Sequence, residues 1–259
     1  MKTKHYYCFD YSLNNKMKNK GKSLNKSNWD ILRNDSQNSP FAFEHTIKEY
    51  EDNCASSLFY RKSAKIMDNS IKKLGWDRET IVSFGCGKGI LEWNLKRINK
   101  SYDIICTDFA EDSIKRLKDL FIKAKECLVF DMLNDNYDIF KKDSIAIFFR
   151  VSTEFSKDEW ISIFGKLYKD GIDKIIYVPT ELATFGIQFK ERITHLKNIL
   201  RRKKETFCGW LYSEKEFLEF FYGKSNAFRQ YQVVERIPYK GTAIFFLKRR
   251  HNSLEFAYK

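Results

Sequence analysis

Short apolar runs alternate with amphipathic stretches through the middle of the chain. Five runs have the length and composition of buried strands, and stretches with helical periodicity follow three of them. The strand-like runs are 81–84, 103–107, 127–130, 144–149 and 174–178, and the helix-like stretches are 90–99, 111–124 and 157–169. Because alternating strands and helices are joined by right-handed crossovers, the pattern predicts an α/β fold with one mostly parallel sheet.

The rest of the chain divides around this alternation. Residues 1–40 are polar and rich in Lys, Asn and Ser, which predicts a flexible segment. Apolar positions at helical spacing over 41–75 predict an N-terminal helical layer. We therefore expect one main domain at 76–250, followed by a short tail at 251–259.

The second half of the main domain departs from the simple alternation. A basic insert at 182–208 contains a helix-like stretch at 189–204, and a Ser-x-x-Glu capping box begins a further helix at 213–222. Two extended runs, 231–237 and 242–247, are separated by a short segment with Pro and Gly. They predict a terminal hairpin.

A glycine-rich turn follows the first predicted strand. Residues 83–89 read Ser-Phe-Gly-Cys-Gly-Lys-Gly, and helix-forming sequence comes next. Glycines allow positive φ and remove Cβ atoms, so a ligand can approach the backbone closely. The N–H groups at the start of the following helix suit an anionic or strongly polar group. The turn is a candidate ligand site, although tight packing alone would also explain its glycines.

Polar residues follow the second, third and fourth predicted strands. Asp108 lies 19 residues after Gly89, close to the spacing that brings an acid to a nucleotide ribose. Asp131 follows the third strand, and Arg150 follows the fourth. Ligands bind beyond the carboxyl ends of strands in open α/β sheets, so we expect these side chains at one edge.

These residues resemble the class I S-adenosylmethionine-dependent methyltransferases over about residues 75–250. The resemblance rests on the 83–89 loop, Asp108, Asp131 and the 150–154 segment. It implies a Rossmann-like sheet of seven strands with an antiparallel last strand, helices on both faces and an N-terminal helical lid. A nicotinamide-binding fold is the close rival, but its G-x-G-x-x-G loop would require Gly where the chain has Ile90.

The resemblance also implies a cofactor, S-adenosylmethionine, and a set of residues that bind it. The family loop usually opens with an acid two residues before its first Gly, and this chain has Ser83 there. The implied cofactor-binding residues are Ser83, Phe84, Gly85, Cys86, Gly87, Gly89, Asp108, Phe109, Asp131, Met132, Arg150 and Val151.

Composition limits the partners. The net charge of +13 would attract phosphates or nucleic acid, although a general excess of lysine on solvated faces also explains it. The six cysteines form no Cys-x-x-Cys pair and the histidines do not cluster, so we expect no metal site. No apolar run approaches roughly 18 residues. We therefore expect a cytoplasmic protein without a membrane partner.

Candidate acceptor-side residues lie near the predicted lid, after the fourth strand and in the basic insert. Glu154 and His45 are candidate bases for removing an acceptor proton. Tyr60 and Arg61 belong to the predicted lid. Arginines bind phosphate oxygens in a bidentate fork, so a phosphate-bearing acceptor would be held by clamps in the insert. The clamp candidates are Arg192, Arg201 and Arg202.

Three functions remain open from the sequence. The first is O-methylation of a small polar acceptor, such as a sugar or a cell-surface polysaccharide precursor. The segment after the fourth strand reads Arg150-Val151-Ser152-Thr153, without the Asn/Asp/Ser-Pro-Pro-aromatic signature that amino methylation of nucleic-acid bases usually has in this superfamily. The second is RNA methylation with phosphate contacts from the basic insert. The third is a cofactor-binding scaffold without turnover.

Overall fold

The structure, a computed structural model, describes residues 42–200, 209–221 and 230–250. The predictions made for 1–40, 251–259, Arg201 and Arg202 lie outside these ranges. The helices are α1 (Ile47–Ser56), α2 (Leu58–Lys73), α3 (Ile90–Ile98), α4 (Glu111–Leu120), α5 (Lys157–Lys169), α6 (Phe185–Leu200) and α7 (Glu214–Phe220). The strands are β1 (Ile81–Phe84), β2 (Ile104–Asp108), β3 (Glu126–Val129), β4 (Ile145–Phe149), β5 (Lys174–Val178), β6 (Tyr231–Tyr239) and β7 (Thr242–Arg249).

All seven strands form one sheet in the order β3-β2-β1-β4-β5-β7-β6. Strands β1 to β5 are parallel, and β7 runs antiparallel to both of its neighbours, β5 and β6. The mostly parallel sheet with an antiparallel last strand is therefore confirmed. The strand order reverses direction between β1 and β4, which creates a crevice beyond their carboxyl ends.

Alternation along the strands explains how helices cover both faces. Successive side chains of a strand point to opposite faces. Ile81 belongs to the core on the face covered by α1 to α4, whereas Val82 and Phe84 belong to the core beneath α5 and α7. Phe84 lies 5.1 Å from Phe148 between ring centroids, within a group of aromatic rings on that second face.

The two N-terminal helices are part of the first core. Tyr50, Cys54, Met67 and Ile71 are fully buried. The start of α1 is fixed by a capping box between Thr46 and the third helical residue. The helices predicted within 41–75 are therefore present, and they pack against the sheet face through α3. Their opening as a lid stays a prediction.

Several boundaries differ from the sequence prediction. Strand β3 begins and ends one residue earlier than 127–130, and β6 and β7 extend beyond 237 and 247. The insert helix is described as Phe185–Leu200, so it begins four residues before the predicted 189, while the predicted 201–204 lie outside the described residues. Its earlier start follows from Thr184, whose hydroxyl accepts a hydrogen bond from the Ile187 N–H at 3.3 Å and caps the first turn.

Two further features bear on the predictions. The capping box before α7 is confirmed, since the Ser213 hydroxyl accepts from the Glu216 N–H at 3.3 Å and the Glu216 carboxylate accepts from the Ser213 N–H at 2.8 Å. Among the helices that the structure describes, none has both the length and the apolar content needed to cross a bilayer.

Candidate functional site

The glycine-rich loop forms the floor of the crevice between β1 and α3. Gly85, Gly87 and Gly89 have φ values of 65°, 60° and 66°, in the left-handed region where a Cβ atom is unfavourable. The Cys86 N–H donates to the Thr107 carbonyl at 2.9 Å, which ties the loop to β2. The sequence therefore needs glycine here for the backbone turn itself.

Gly85 lies against two residues from other strand ends. A Cβ atom at Gly85 would be 2.7 Å from Val151 Cγ1 and 3.5 Å from Met132 Cε. Three positions predicted separately from the sequence thus meet at one point of the crevice. The third glycine has a packing role, because a Cβ atom at Gly89 would be 2.9 Å from Leu117 Cδ1.

The Asp108 carboxylate is directed at the glycine-rich loop. Its Oδ2 accepts from the Gly87 N–H at 3.0 Å, and its Oδ1 accepts from the Ala110 N–H at 3.0 Å. The side chain is buried at the end of β2. Phe109, the next residue, is half-buried. The predicted acid is therefore in direct contact with the loop.

A second buried carboxylate, Glu92, was missed by the sequence prediction. It lies in the first turn of α3, and its Oε1 accepts a hydrogen bond from the Ser83 hydroxyl. Its Oε2 has no hydrogen-bond partner among the described residues. Burial raises the pKa of Glu92 to about 7, against the lowering effect of the Ser83 hydrogen bond. Two features of the sequence could have identified Glu92. Ser83 stands where the family usually has an acid, and Glu92 is an acid in the stretch that forms α3.

Lys88 of the glycine-rich loop forms hydrogen bonds with the N-terminal layer. Its ammonium donates to the Glu44 carboxylate at 2.5 Å and to the Ala42 carbonyl at 2.7 Å. The Lys88 carbonyl accepts from the Tyr50 hydroxyl at 2.9 Å. Asn53 in α1 donates to the same Glu44 carboxylate at 2.5 Å. The conformation of the loop is thus coupled to the start of the N-terminal layer.

Asp131 organises its own turn after β3. Its Oδ1 accepts from the Leu133 N–H at 2.8 Å, and its Oδ2 accepts from the Asn134 side-chain amide at 2.8 Å. Such contacts are typical of an Asx turn. The turn carries Met132 to its position beside Gly85.

Arg150 ends β4 in an unusual conformation. Its φ is 60°, which is uncommon for a residue with a side chain and is often found at functional sites. Its guanidinium lies 5.1 Å above the Phe59 ring. Tyr60 packs on Phe149 with centroids 5.5 Å apart, so the structure brings it to the carboxyl end of β4. Arg61 is exposed and bonds back to the Ala55 carbonyl at 3.4 Å.

Glu154 belongs to a short 3₁₀ turn, Ser152–Glu154, that follows β4. The Trp210 N–H donates to the Thr153 carbonyl at 2.8 Å, so the end of the insert packs on this turn. Glu154 is half-buried there. His45 lies at the exposed entry to α1, where its N–H donates to the Glu49 carboxylate at 3.2 Å. Arg192 is exposed on α6.

Comparison with known proteins identifies the fold. No family model and no curated protein matches the chain. A structure of magnesium protoporphyrin IX methyltransferase from Synechocystis PCC 6803 with bound SAH matches 86% of this chain and 93% of its own, with a TM-score of 0.55 and 11% identity. The fold is that of the class I methyltransferases.

Human N-acetylserotonin methyltransferase in complex with SAM has the same fold. It matches 79% of this chain and 56% of its own, with a TM-score of 0.51 and 14% identity. The class I methyltransferase fold places the glycine-rich loop, Asp108 and the turn after β4 on one edge of the sheet. At such low identity the likeness establishes the fold alone, and the chemistry has to be argued from the residues.

Proposed function

We propose that the chain is an S-adenosylmethionine-dependent methyltransferase that acts on a small molecule. The observation that carries the proposal is the Asp108 carboxylate held on the Gly87 N–H at the switch point of the sheet. The strand order supports it, since dinucleotide-binding folds have the order 3-2-1-4-5-6 and this sheet inserts β7 before β6. The two similar methyltransferases carry SAH or SAM.

The residues of the crevice offer backbone groups and carboxylates that suit the polar groups of this cofactor. The left-handed backbone at Gly85 and Gly87 lets a ligand approach without a Cβ atom. Asp108 can accept hydrogen bonds from ribose hydroxyls, because a carboxylate offers about four acceptor positions. The turn of Asp131 and Met132 and the segment of Arg150 and Val151 would complete the cofactor-binding set, as the family resemblance implies.

Glu92 supports recognition of the cofactor's amino group. Ser83 occupies the position where the family usually has the acid for that group, and its hydroxyl contacts Glu92. A buried carboxylate with an oxygen that lacks a partner in the described structure is costly unless a ligand completes it. An ammonium group at this point would compensate that cost. In its ionised form, Glu92 would supply from α3 the negative charge that Ser83 lacks.

The chemistry requires positioning and one proton transfer. When bound, S-adenosylmethionine would supply both the methyl group and its own leaving group, a thioether. The chain's own residues hold the acceptor oxygen in line and remove its proton. Glu154 is the candidate base because it follows β4 at the same edge, and His45 is the second candidate. Positioning can supply roughly 7–11 kcal/mol of the barrier.

We propose an oxygen on a small polar molecule as the acceptor, such as a sugar or a polysaccharide precursor. The two similar methyltransferases are named for small acceptors, a porphyrin and N-acetylserotonin. Tyr60 lies at the carboxyl end of β4, where it can border an acceptor. Arg192 on α6 is the described candidate for contacting a phosphate on such an acceptor.

Calorimetry with S-adenosylhomocysteine tests the cofactor assignment. We expect Asp108→Ala to weaken binding by about one to two orders of magnitude, because a buried hydrogen bond to a charged group contributes about 1.5–3 kcal/mol. Asp138→Ala removes an exposed acid and serves as the matched control. Asp108→Asn keeps the side-chain shape if the alanine variant unfolds. Unchanged affinity in a folded variant would contradict the proposal.

A second experiment tests the acceptor. Labelled S-adenosylmethionine is supplied with sugars, nucleotide-linked sugars or total RNA, and transfer of label is measured. Transfer to a sugar supports the small-molecule function. Transfer to RNA with a steep dependence of binding on salt would replace it with RNA methylation. Cofactor binding without transfer to any acceptor would favour the scaffold.

A further inference from the structure

Helix α6 exposes a row of five apolar residues instead of burying it. A surface helix of a globular protein normally turns its apolar stripe toward the core. At about 100° per residue, five apolar residues of α6 fall in one stripe roughly 80° wide. Phe185 and Leu200 at its two ends are 86% and 81% exposed. The stripe consists of Phe185, Phe189, Ile193, Leu196 and Leu200, all exposed.

The opposite side of α6 faces the protein. Ile187 and Thr194 lie there and are partly buried. The segment before the helix is anchored, since the Ala183 N–H donates to the Tyr212 carbonyl at 2.8 Å. The side with Ile187 and Thr194 thus faces inward, and the apolar stripe forms an outer surface along about 24 Å.

Basic residues flank the stripe on both sides. At about 100° per residue, Lys190 and Lys197 follow one border of the stripe and Arg192 follows the other. All three are exposed. The sequence continues with four more basic residues, 201–204. Long basic side chains beside an apolar stripe can keep their charges at a polar boundary while the stripe enters an apolar phase.

We propose that α6 binds the surface of a bilayer that contains anionic lipids. An anionic bilayer matches both the basic flanks and the apolar stripe. Its headgroups attract the basic side chains, and the boundary with its acyl chains buries the stripe. Attachment of this kind lies in the plane of the bilayer and requires no spanning helix. The sequence prediction of no membrane partner rested on the lack of a spanning run.

Charge argues against the other occupants. Residues 1–40 contain eight basic and three acidic side chains, so this segment would bring positive charge to a positive surface. A second copy of the chain, at +13, would do the same. RNA would match the charge, but phosphates offer nothing to the aliphatic residues Ile193, Leu196 and Leu200.

The position of α6 gives the attachment a consequence. The helix follows the carboxyl end of β5, and the insert returns through Trp210 onto the turn of Thr153. A bilayer on α6 would therefore lie beside the edge of the sheet that carries the candidate site. The proposed attachment does not depend on the proposed methyl transfer.

Vesicle co-sedimentation of the full chain tests the proposal. We expect binding to vesicles of phosphatidylglycerol with phosphatidylcholine and at least tenfold weaker binding to phosphatidylcholine alone. Phe189→Ser with Leu196→Ser should reduce binding at least tenfold by removing the centre of the stripe. The matched control is Ile122→Ser with Ile139→Ser, two exposed apolar residues elsewhere in the described structure.

A charge series separates α6 from the general positive charge. Lys190→Gln with Lys197→Gln should reduce binding severalfold, whereas Lys62→Gln with Lys65→Gln, on exposed positions of α2, should leave it within twofold. Full binding by both α6 variants would overturn the proposal, since the N-terminal segment would then suffice. Absence of vesicle binding would also overturn it, and a concentration-dependent dimer or RNA binding that requires Phe189 and Leu196 would then identify the occupant of the stripe.

Discussion

The buried carboxyl group of Glu92 should make stability depend on pH in a direction opposite to that of most acids. The residue is 1% exposed, and burial raises its pKa from 4.5 to about 7. The folded state therefore favours the protonated form. The stability that this proton provides is present in full below the unfolded value and is lost as the pH rises through about 7.

The magnitude follows from the two pKa values. Between pH 5 and pH 8 the folded chain loses the proton of Glu92, whereas the unfolded chain has already lost most of it. Because the folded-state pKa is higher than the unfolded-state pKa, the free energy of unfolding falls by about 2.5 kcal/mol from pH 5 to pH 8. Glu92→Gln keeps the size and the hydrogen-bonding shape of the side chain but does not titrate.

Urea unfolding of the two proteins at pH 5, 6, 7 and 8 isolates this contribution. Other titrating groups cancel in the difference between wild type and Glu92→Gln. That difference should change by about 2.5 kcal/mol in favour of the variant from pH 5 to pH 8. Glu126→Gln removes an exposed carboxyl group and serves as the control. A difference constant within about 0.5 kcal/mol would refute the assignment of a raised pKa.

Two further predictions concern ligand binding and the loop. If Glu92 meets the cofactor's ammonium, S-adenosylhomocysteine should bind about tenfold more tightly at pH 8 than at pH 6, because binding needs the ionised form, and Glu92→Gln should flatten the calorimetric profile. Gly85→Ala should lower the free energy of unfolding by roughly 2 kcal/mol more than Gly75→Ala. Both sites have positive φ, but only the Gly85 Cβ would meet Val151. Equal costs in urea unfolding would contradict the close packing.

The strands of the sheet were predictable because short stretches of neighbouring residues determine where each strand begins and ends. Apolar runs ending at Asp108 and Arg150 give strands and their carboxyl ends directly, and glycine spacing gives the loop. Contacts between distant segments were not predictable in the same way. The Lys88–Glu44 pair joins positions 44 residues apart, and the exposure of the α6 stripe is a tertiary property that periodicity alone would have assigned to the core.

The hydrogen bonds between Lys88 and the N-terminal layer limit how far the chain can be truncated from its N-terminal side. A chain that began at β1 would lose Glu44 and Tyr50. It would also expose the apolar residues of α3 and α4 that α1 and α2 cover. The smallest fragment that retains a formed loop must therefore start before Phe43, which is itself buried. Exchanging the glycine-rich half of this protein with that of another protein of the same fold would require the first helices to be transferred with it.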